Sequence, residues 1–271
     1  MNRGRGSEVT DPCPHPPTPP PPRGDSRLAP VPGPLGVSLT VVFQPIVAWN
    51  RTTIFGFEAL VRPWRHREPL APHAWLEAAA AAGAGVAADV ACLAAITAQL
   101  RAWGGWPGPG LLFVNVRWGT LATPAAFEPA WADLTAWVDP ARVVWEVAEH
   151  GARAPVWADL AQRYPAATWA LDDFGVGTAD LWRWAALNPT WVKVDRLLVA
   201  RLATDPRTAV LVEAVTMAAH RLGSRVIAEG IETPAEAAAC SRLGVDAGQG
   251  FLLGPPHPGG PRGPGDGGAI P

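Results

Sequence analysis

The 271-residue chain has room for one large domain, and 48% hydrophobic residues can fill its core. Its 22 basic and 24 acidic side chains give a formal net charge of -2, which argues against a nucleic-acid polymer as partner, since such binders carry a basic patch. Three cysteines, Cys13, Cys92 and Cys240, are odd in number and widely spaced. They exclude a disulfide framework and a zinc cluster, and they fit a reducing cytoplasm.

The first ten residues, MNRGRGSEVT, lack the apolar stretch of a signal peptide. Residues 11–34 hold eleven prolines, which have no amide donor and a fixed φ. Residues 1–36 are therefore expected to form a disordered or polyproline tail, and the Gly/Pro-rich residues 258–271 a second one. The folded domain should cover 37–257. Its first two apolar runs, 39–47 and 53–61, are separated by a short connection and predict an antiparallel hairpin. The Ala-rich run 78–96 contains Asp89 and reads as one or two buried helices. It falls short of a membrane span, which needs about 20 strongly apolar residues.

From there the rhythm changes. Residues 111–116, 142–147, 168–173, 191–195 and 225–229 read as strands, and 124–138, 153–163, 204–222 and 234–243 as helices between them. Strands apolar on both faces that alternate with helices imply a parallel sheet covered by helices. The hairpin and a short strand at 247–249 bring the total to about eight strands, so an α/β architecture closed as a (β/α)8 barrel is the natural solution. On pattern alone, a doubly wound open sheet is the alternative.

The strands end in acidic, amide or basic residues: Glu58, Asn115, Glu146, Asp172 with Asp173, Lys193 with Asp195, and Glu229. Any one of them could be a helix N-cap or a loop residue. All of them at equivalent positions would converge on the C-terminal face of a barrel, where active sites are built. Carboxylates about 4 Å apart repel by roughly 4 kcal/mol per pair at an effective dielectric of 20, so protonation or bound cations must relieve them. Oxygen donors without a His or Cys cluster suit magnesium, manganese or calcium. Adjacent Asp172 and Asp173 could let one carboxylate bridge two ions, an arrangement that points to two-metal phosphoryl hydrolysis.

These residues also carry a resemblance. FEALVR (57–62) resembles the signature of the EAL family, and FQPIV (43–47) its opening strand. FVNV (113–116), WEVAE (145–149), LDDFGVG (171–177), VKVD (192–195), VIAEGIET (226–233) and GQGFLLGPP (248–256) follow in the family's order. The resemblance implies a TIM-like barrel with an antiparallel first strand, and cleavage of cyclic di-GMP to linear pGpG. It implies two divalent cations, Mg2+ or Mn2+. One would be held by Glu58, Asn115, Glu146 and Asp172, and the other by Asp172, Asp173 and Glu229. Lys193, Glu229 and Gln249 would serve the attacking water and the phosphate, and Glu149 would anchor the loop after Asp173. Gln44, Arg62, Asp195 and Glu232 fall on the substrate side, Glu232 in a supporting position. A homodimer is a further implication.

The chain departs from the family in three places. Thr178, Ala179 and Asp180 replace Tyr-Ser-Ser after the double aspartate, which bears on regulation and turnover. Arg117 replaces a serine two residues after Asn115, outside the ligand set, and Pro63 stands where an aromatic is common. Three other readings compete: a non-catalytic receptor for cyclic di-GMP, a pure scaffold, and a metallohydrolase for another phosphodiester. The filled ligand positions favour the enzyme over the receptor. Arg62, Lys193 and Gln249 together have no use in a scaffold.

Overall fold

The structure is a computed structural model, and it describes residues 29–49, 53–147, 155–175, 180–258 and 260. Ten strands occur among these residues. They are β1 (Val31–Gly33), β2 (Val37–Ala48), β3 (Thr53–Arg65), β4 (Glu68–Pro69), β5 (Leu111–Asn115), β6 (Val143–Val147), β7 (Thr168–Phe174), β8 (Trp191–Val194), β9 (Arg225–Ala228) and β10 (Ala247–Gly248). The helices are α1 (Pro72–Ala81), α2 (Gly85–Trp103), α3 (Trp118–Leu121), α4 (Pro124–Thr135), α5 (Pro155–Arg163), α6 (Asp180–Leu187), α7 (Arg196–Val199), α8 (Pro206–Arg221) and α9 (Pro234–Arg242).

Strands β3 and β5 to β10 form a parallel run, and β2 closes the ring by pairing antiparallel with both β3 and β10. The result is a closed eight-stranded barrel with the antiparallel first strand expected from the hairpin. Open-sheet topology is excluded, because β2 has a partner on each side.

Strand β1 departs from the sequence expectation. Val31–Gly33 pairs antiparallel with β2, inside the segment expected to be tail, and a short 3-10 turn, Pro34–Gly36, joins the two. Proline is tolerated at a sheet edge, where a missing N–H faces no partner strand. Trp75 Nε1 donates to Pro34 O, and Arg65 Nη2 donates to Leu35 O, so this corner is tied to α1 and β3.

The helical run at 78–96 resolves into α1 and α2. By length and composition the 19-residue α2 could cross a membrane, contrary to the sequence reading. In the fold it lies over the barrel wall with Ala88, Leu93, Ile96 and Leu100 buried, and it carries the buried Asp89.

The barrel interior follows a period of two. Ile46, Phe113, Val144, Ala170, Trp191, Ile227 and Ala247 form one buried cluster, with Phe55 and Leu111 packed against it. Side chains two residues apart on a strand share a face. Asn115, Glu146, Asp172, Lys193, Glu229 and Gln249 therefore stand directly above this apolar plug, each two residues beyond a member of it. Outside the barrel, aromatics seal strands to helices: Trp131 stacks on Trp145 at 4.9 Å, and Phe127 meets Trp145 edge-on at 5.3 Å. Trp184 is buried against Phe174, whereas its neighbour Trp182 is exposed on α6.

Candidate active site

Lys193 occupies the centre of the barrel mouth. Its ammonium lies 2.7 Å from Glu146, 2.7 Å from Glu229, 3.0 Å from Asp172 and 3.5 Å from Glu58. Two amides clamp the acids from the side. Asn115 Nδ2 donates to Glu58 Oε1 at 2.6 Å and to Glu146 Oε2 at 3.1 Å. Gln249 Nε2 donates to Glu58 Oε2 at 2.7 Å and to Gln44 Oε1 at 3.2 Å. Strands β2, β3, β5, β6, β7 and β8 thus each place one residue in this cup, and the residues just past β9 and β10 complete it.

Adjacent residues on a regular strand point to opposite faces, so the paired aspartates need a local irregularity. Strand β7 supplies one. Leu171 aligns with Val192 and Phe174 with Val194, so Asp172 and Asp173 together stand opposite the single Lys193. Asp173 takes a left-handed conformation, φ 54°, at this bulge. Oxygens of Asp172, Asp173 and Glu229 then lie within 4.8 Å of one another.

Electrostatics divide the acids. Burial pushes the Glu58 carboxyl up, but Lys193, Gln249 and Asn115 outweigh it and hold the group below its ordinary value. Burial, and then the charge of Glu58, raise Glu146 well above its ordinary value. Glu229 is likewise raised well above its ordinary value by burial and by Asp172, and Asp172 is raised by burial. For Lys193, burial alone would lower the ammonium's pKa; the four facing carboxylates reverse this and raise it well above its ordinary value. Four carboxylates face one ammonium, and Asp173 adds a fifth to the cup. Glu146 Oε1 and Asp172 Oδ1 are sealed from solvent, and each meets the ammonium in a charge-assisted contact, at 2.7 and 3.0 Å. The surplus of hard oxygen donors fits divalent cations.

The remaining predicted residues spread around the mouth. Arg62 lies on the same face of β3 as Glu58, half-buried, with Nη1 donating to Val61 O. Gln44 has both ends engaged, because its Nε2 also donates to Gly254 O at 3.2 Å; it ties the closing segment to β2. The Asp195 carboxylate accepts from Leu197 N at 2.7 Å and so caps α7. Glu232 is exposed, on a turn held by Glu236, whose Oε2 accepts from Glu232 N and Thr233 N. Glu149, Thr178 and Ala179 lie outside the described residues, and Asp180 begins α6.

Sequence reasoning set Arg117 outside the ligand set and weighed Asp89 only against a membrane span; it did not pair them, and in the structure they form a 2.6 Å ion pair. A signal was present. Asp89 is the one charged residue in the run 78–96 of a chain that is only 17% charged.

A closed barrel with one antiparallel strand and an acid, amide and lysine cup at its C-terminal mouth belongs to the class of TIM-like barrels, with its cup where such barrels build their sites. Residues 36–256 match the EAL domain family, and the chain belongs to that family. It is similar to the bifunctional diguanylate cyclase/cyclic di-GMP phosphodiesterase MucR of Pseudomonas aeruginosa, 29% identical over 237 residues, 81% of this chain and 33% of MucR. The cyclic di-GMP phosphodiesterase RocR of the same organism is 31% identical over 152 residues, 54% of this chain and 39% of RocR. The chain thus spans about a third of the length of these relatives. Among solved structures it is similar to the PaMucR phosphodiesterase in complex with c-di-GMP, with a TM-score of 0.71 and 28% identity over 82% of this chain and 92% of that one. A calcium/cyclic-di-GMP complex of BlrP1 from Klebsiella pneumoniae gives a TM-score of 0.68 and 28% identity over 81% and 56%.

Proposed function

We propose that this chain is a phosphodiesterase that hydrolyses cyclic di-GMP to linear pGpG with two divalent cations, Mg2+ or Mn2+. The observation that carries the reading is the convergence of Glu58, Asn115, Glu146, Asp172 and Glu229 around Lys193, with Asp173 brought alongside by the β7 bulge. Glu58, Asn115, Glu146 and Asp172 would hold one cation, and Asp172, Asp173 and Glu229 the other. Bound there, the cations supply Lewis acidity and activate water for attack on phosphorus. Lys193 donates to the phosphoryl oxygens as they gain charge, and Gln249 orients the incoming water. Arg62 binds a substrate phosphate from the rim. Cys92 and Cys240 are free thiols pushed up to about 12 by burial, consistent with inert core positions in a reducing cytoplasm.

The test is incubation of the protein with cyclic di-GMP and Mg2+ or Mn2+, following pGpG by chromatography. Metal-dependent pGpG that vanishes in Glu58→Ala is the expected result. A Lys193→Ala protein should turn over about 100- to 1,000-fold more slowly, as for loss of one transition-state donor. Micromolar binding without product would make the chain a receptor instead, and normal turnover by Glu58→Ala would overturn the site.

A further inference from the structure

Asn115 is the one exposed member of the amide and acid clamp, whereas Glu58, Glu146 and Gln249 are buried. Its two hydrogen bonds aim the amide, and where the amide sits depends on the backbone that carries it. Val116 N donates to Glu146 O at 2.9 Å, which continues the strand ladder for one residue. At the next residue the backbone leaves the barrel and is caught by α2. Arg117 N donates to Asp89 Oδ2 at 3.1 Å, and its Nε donates to Asp89 Oδ1 at 2.6 Å. Its other nitrogens reach further, Nη1 to Leu76 O at 3.3 Å and Nη2 to Gly85 O at 2.6 Å. Asp89 Oδ2 also accepts from Thr120 Oγ1 at 2.6 Å.

One guanidinium therefore joins the end of β5 to α1 and α2, the two helices that follow the strand carrying Glu58. Asp89 is buried, so its pair with Arg117 is shielded from solvent, and charge-assisted bonds of this kind are the stronger ones. We infer that Arg117, seated on Asp89, is a positioning residue that sets the Asn115 amide between Glu58 and Glu146. Arg117 and Asp89 act on those acids through the backbone of residues 115–117. A serine hydroxyl at position 117 could not reach α1 and α2 at once. The inference rests on Asn115 being part of the site, and its test is independent of whether the chain hydrolyses anything.

Side-chain amide resonances of 15N-labelled protein in chelator provide the readout. The Asn115 pair, identified by its loss in Asn115→Asp, should be shifted and protected from exchange, because Nδ2 is shared between two carboxylates. In Asp89→Asn and Arg117→Ala it should move toward the position of a free amide, while the Gln249 pair stays. Arg117→Lys, which keeps a charge for Asp89 but lacks the fork for Leu76 and Gly85, should not restore it and serves if Arg117→Ala does not fold. Mn2+ affinity of the variants should fall about 10- to 100-fold, as for groups that orient metal ligands. Unchanged Asn115 resonances in folded Asp89→Asn and Arg117→Lys would overturn the inference. Variants that show these resonance changes while the wild-type protein binds no Mn2+ would refute the proposed function and leave the positioning intact.

Discussion

Lys193 is fully buried, and a lone ammonium in that position would give up its proton. Four carboxylates keep it charged, and it in turn offsets part of their repulsion. The balance is incomplete, and this has a pH signature. Glu146, Glu229 and Asp172 have folded values raised above those of the unfolded chain, so between the two values the folded state holds more protons. Stability from these groups is fully present below the ordinary carboxylate value and is lost as pH rises through the raised ones. Glu58 runs the other way, and its contribution is lost only as pH falls through its lowered value. Lys193, raised above 10.5, keeps its contribution throughout and loses it only above that value. In chelator, the melting temperature should therefore fall as pH rises from the ordinary carboxylate range through neutrality, and Mn2+ should flatten the profile. Glu146→Gln should flatten it in chelator too, having removed one raised group. A metal-free melting temperature that rises across this range would contradict the charge balance.

At the scale of elements, β7 shows what sequence periodicity can and cannot deliver. The run 168–173 is legible as a strand, and its terminal aspartates as a candidate ligand pair, because apolar residues precede them. A period of two, however, sends Asp172 and Asp173 to opposite faces. Only the register shift against β8 and the left-handed Asp173 bring both to the mouth, and neither leaves a mark in the sequence. The pairing of Arg117 was illegible for a similar reason: its partners Leu76, Gly85 and Asp89 lie 28 to 41 residues away and are brought to it by the β3-to-β5 crossover. The backbone at Asp173 is open to test. Asp173→Gly and Asp173→Val both delete the carboxylate, so they differ in backbone tolerance. A β-branched residue at φ 54° is an outlier, and the left-handed region costs about 1–2 kcal/mol for an L-residue that glycine escapes. Chemical denaturation in chelator should find the valine variant less stable than the glycine variant by about that amount, and equal stabilities would show that the bulge relaxes freely.

The molecule as a whole is a ring, and rings depend on how they close. Eight strands, the hairpin and the parallel run were legible because each strand is a short apolar block bounded by polar or turn residues. The two ends of the fold were less so. Val31–Gly33 hides in a proline-rich stretch whose composition argues for a tail, and only because β10 stops at Val47 does the N-terminal part of β2 keep an edge for it to pair with. At the other end, β10 has just two residues, too few to hold the ring by itself. The segment after it completes the closure. Gly250 packs so tightly that a Cβ would lie 2.1 Å from Ile231 O, and this lets Ile231 N reach Gln249 O at 3.0 Å. Further on, Phe43 and His257 exchange two backbone hydrogen bonds, at 3.0 and 2.9 Å, and Gln44 holds Gly254 O. Residues 249–257 thus act as a clasp across β2, and Gln249 lies at its start. A chain ended after Gly254 keeps every acid, amide and lysine of the cup but loses the Phe43–His257 pair. At about 1 kcal/mol per hydrogen bond it should be less stable by roughly 2 kcal/mol or more, and the loosened β2 should free Gln44 from Gln249. Thermal melts read the first effect, and a fall in turnover greater than the fall in Mn2+ affinity reads the second, because in the proposed function Gln249 serves the water and phosphate, whereas the ligands Asp172 and Asp173 stand three strands away on β7. A truncated chain that melts and turns over like the full one would mean that β10 closes the barrel unaided.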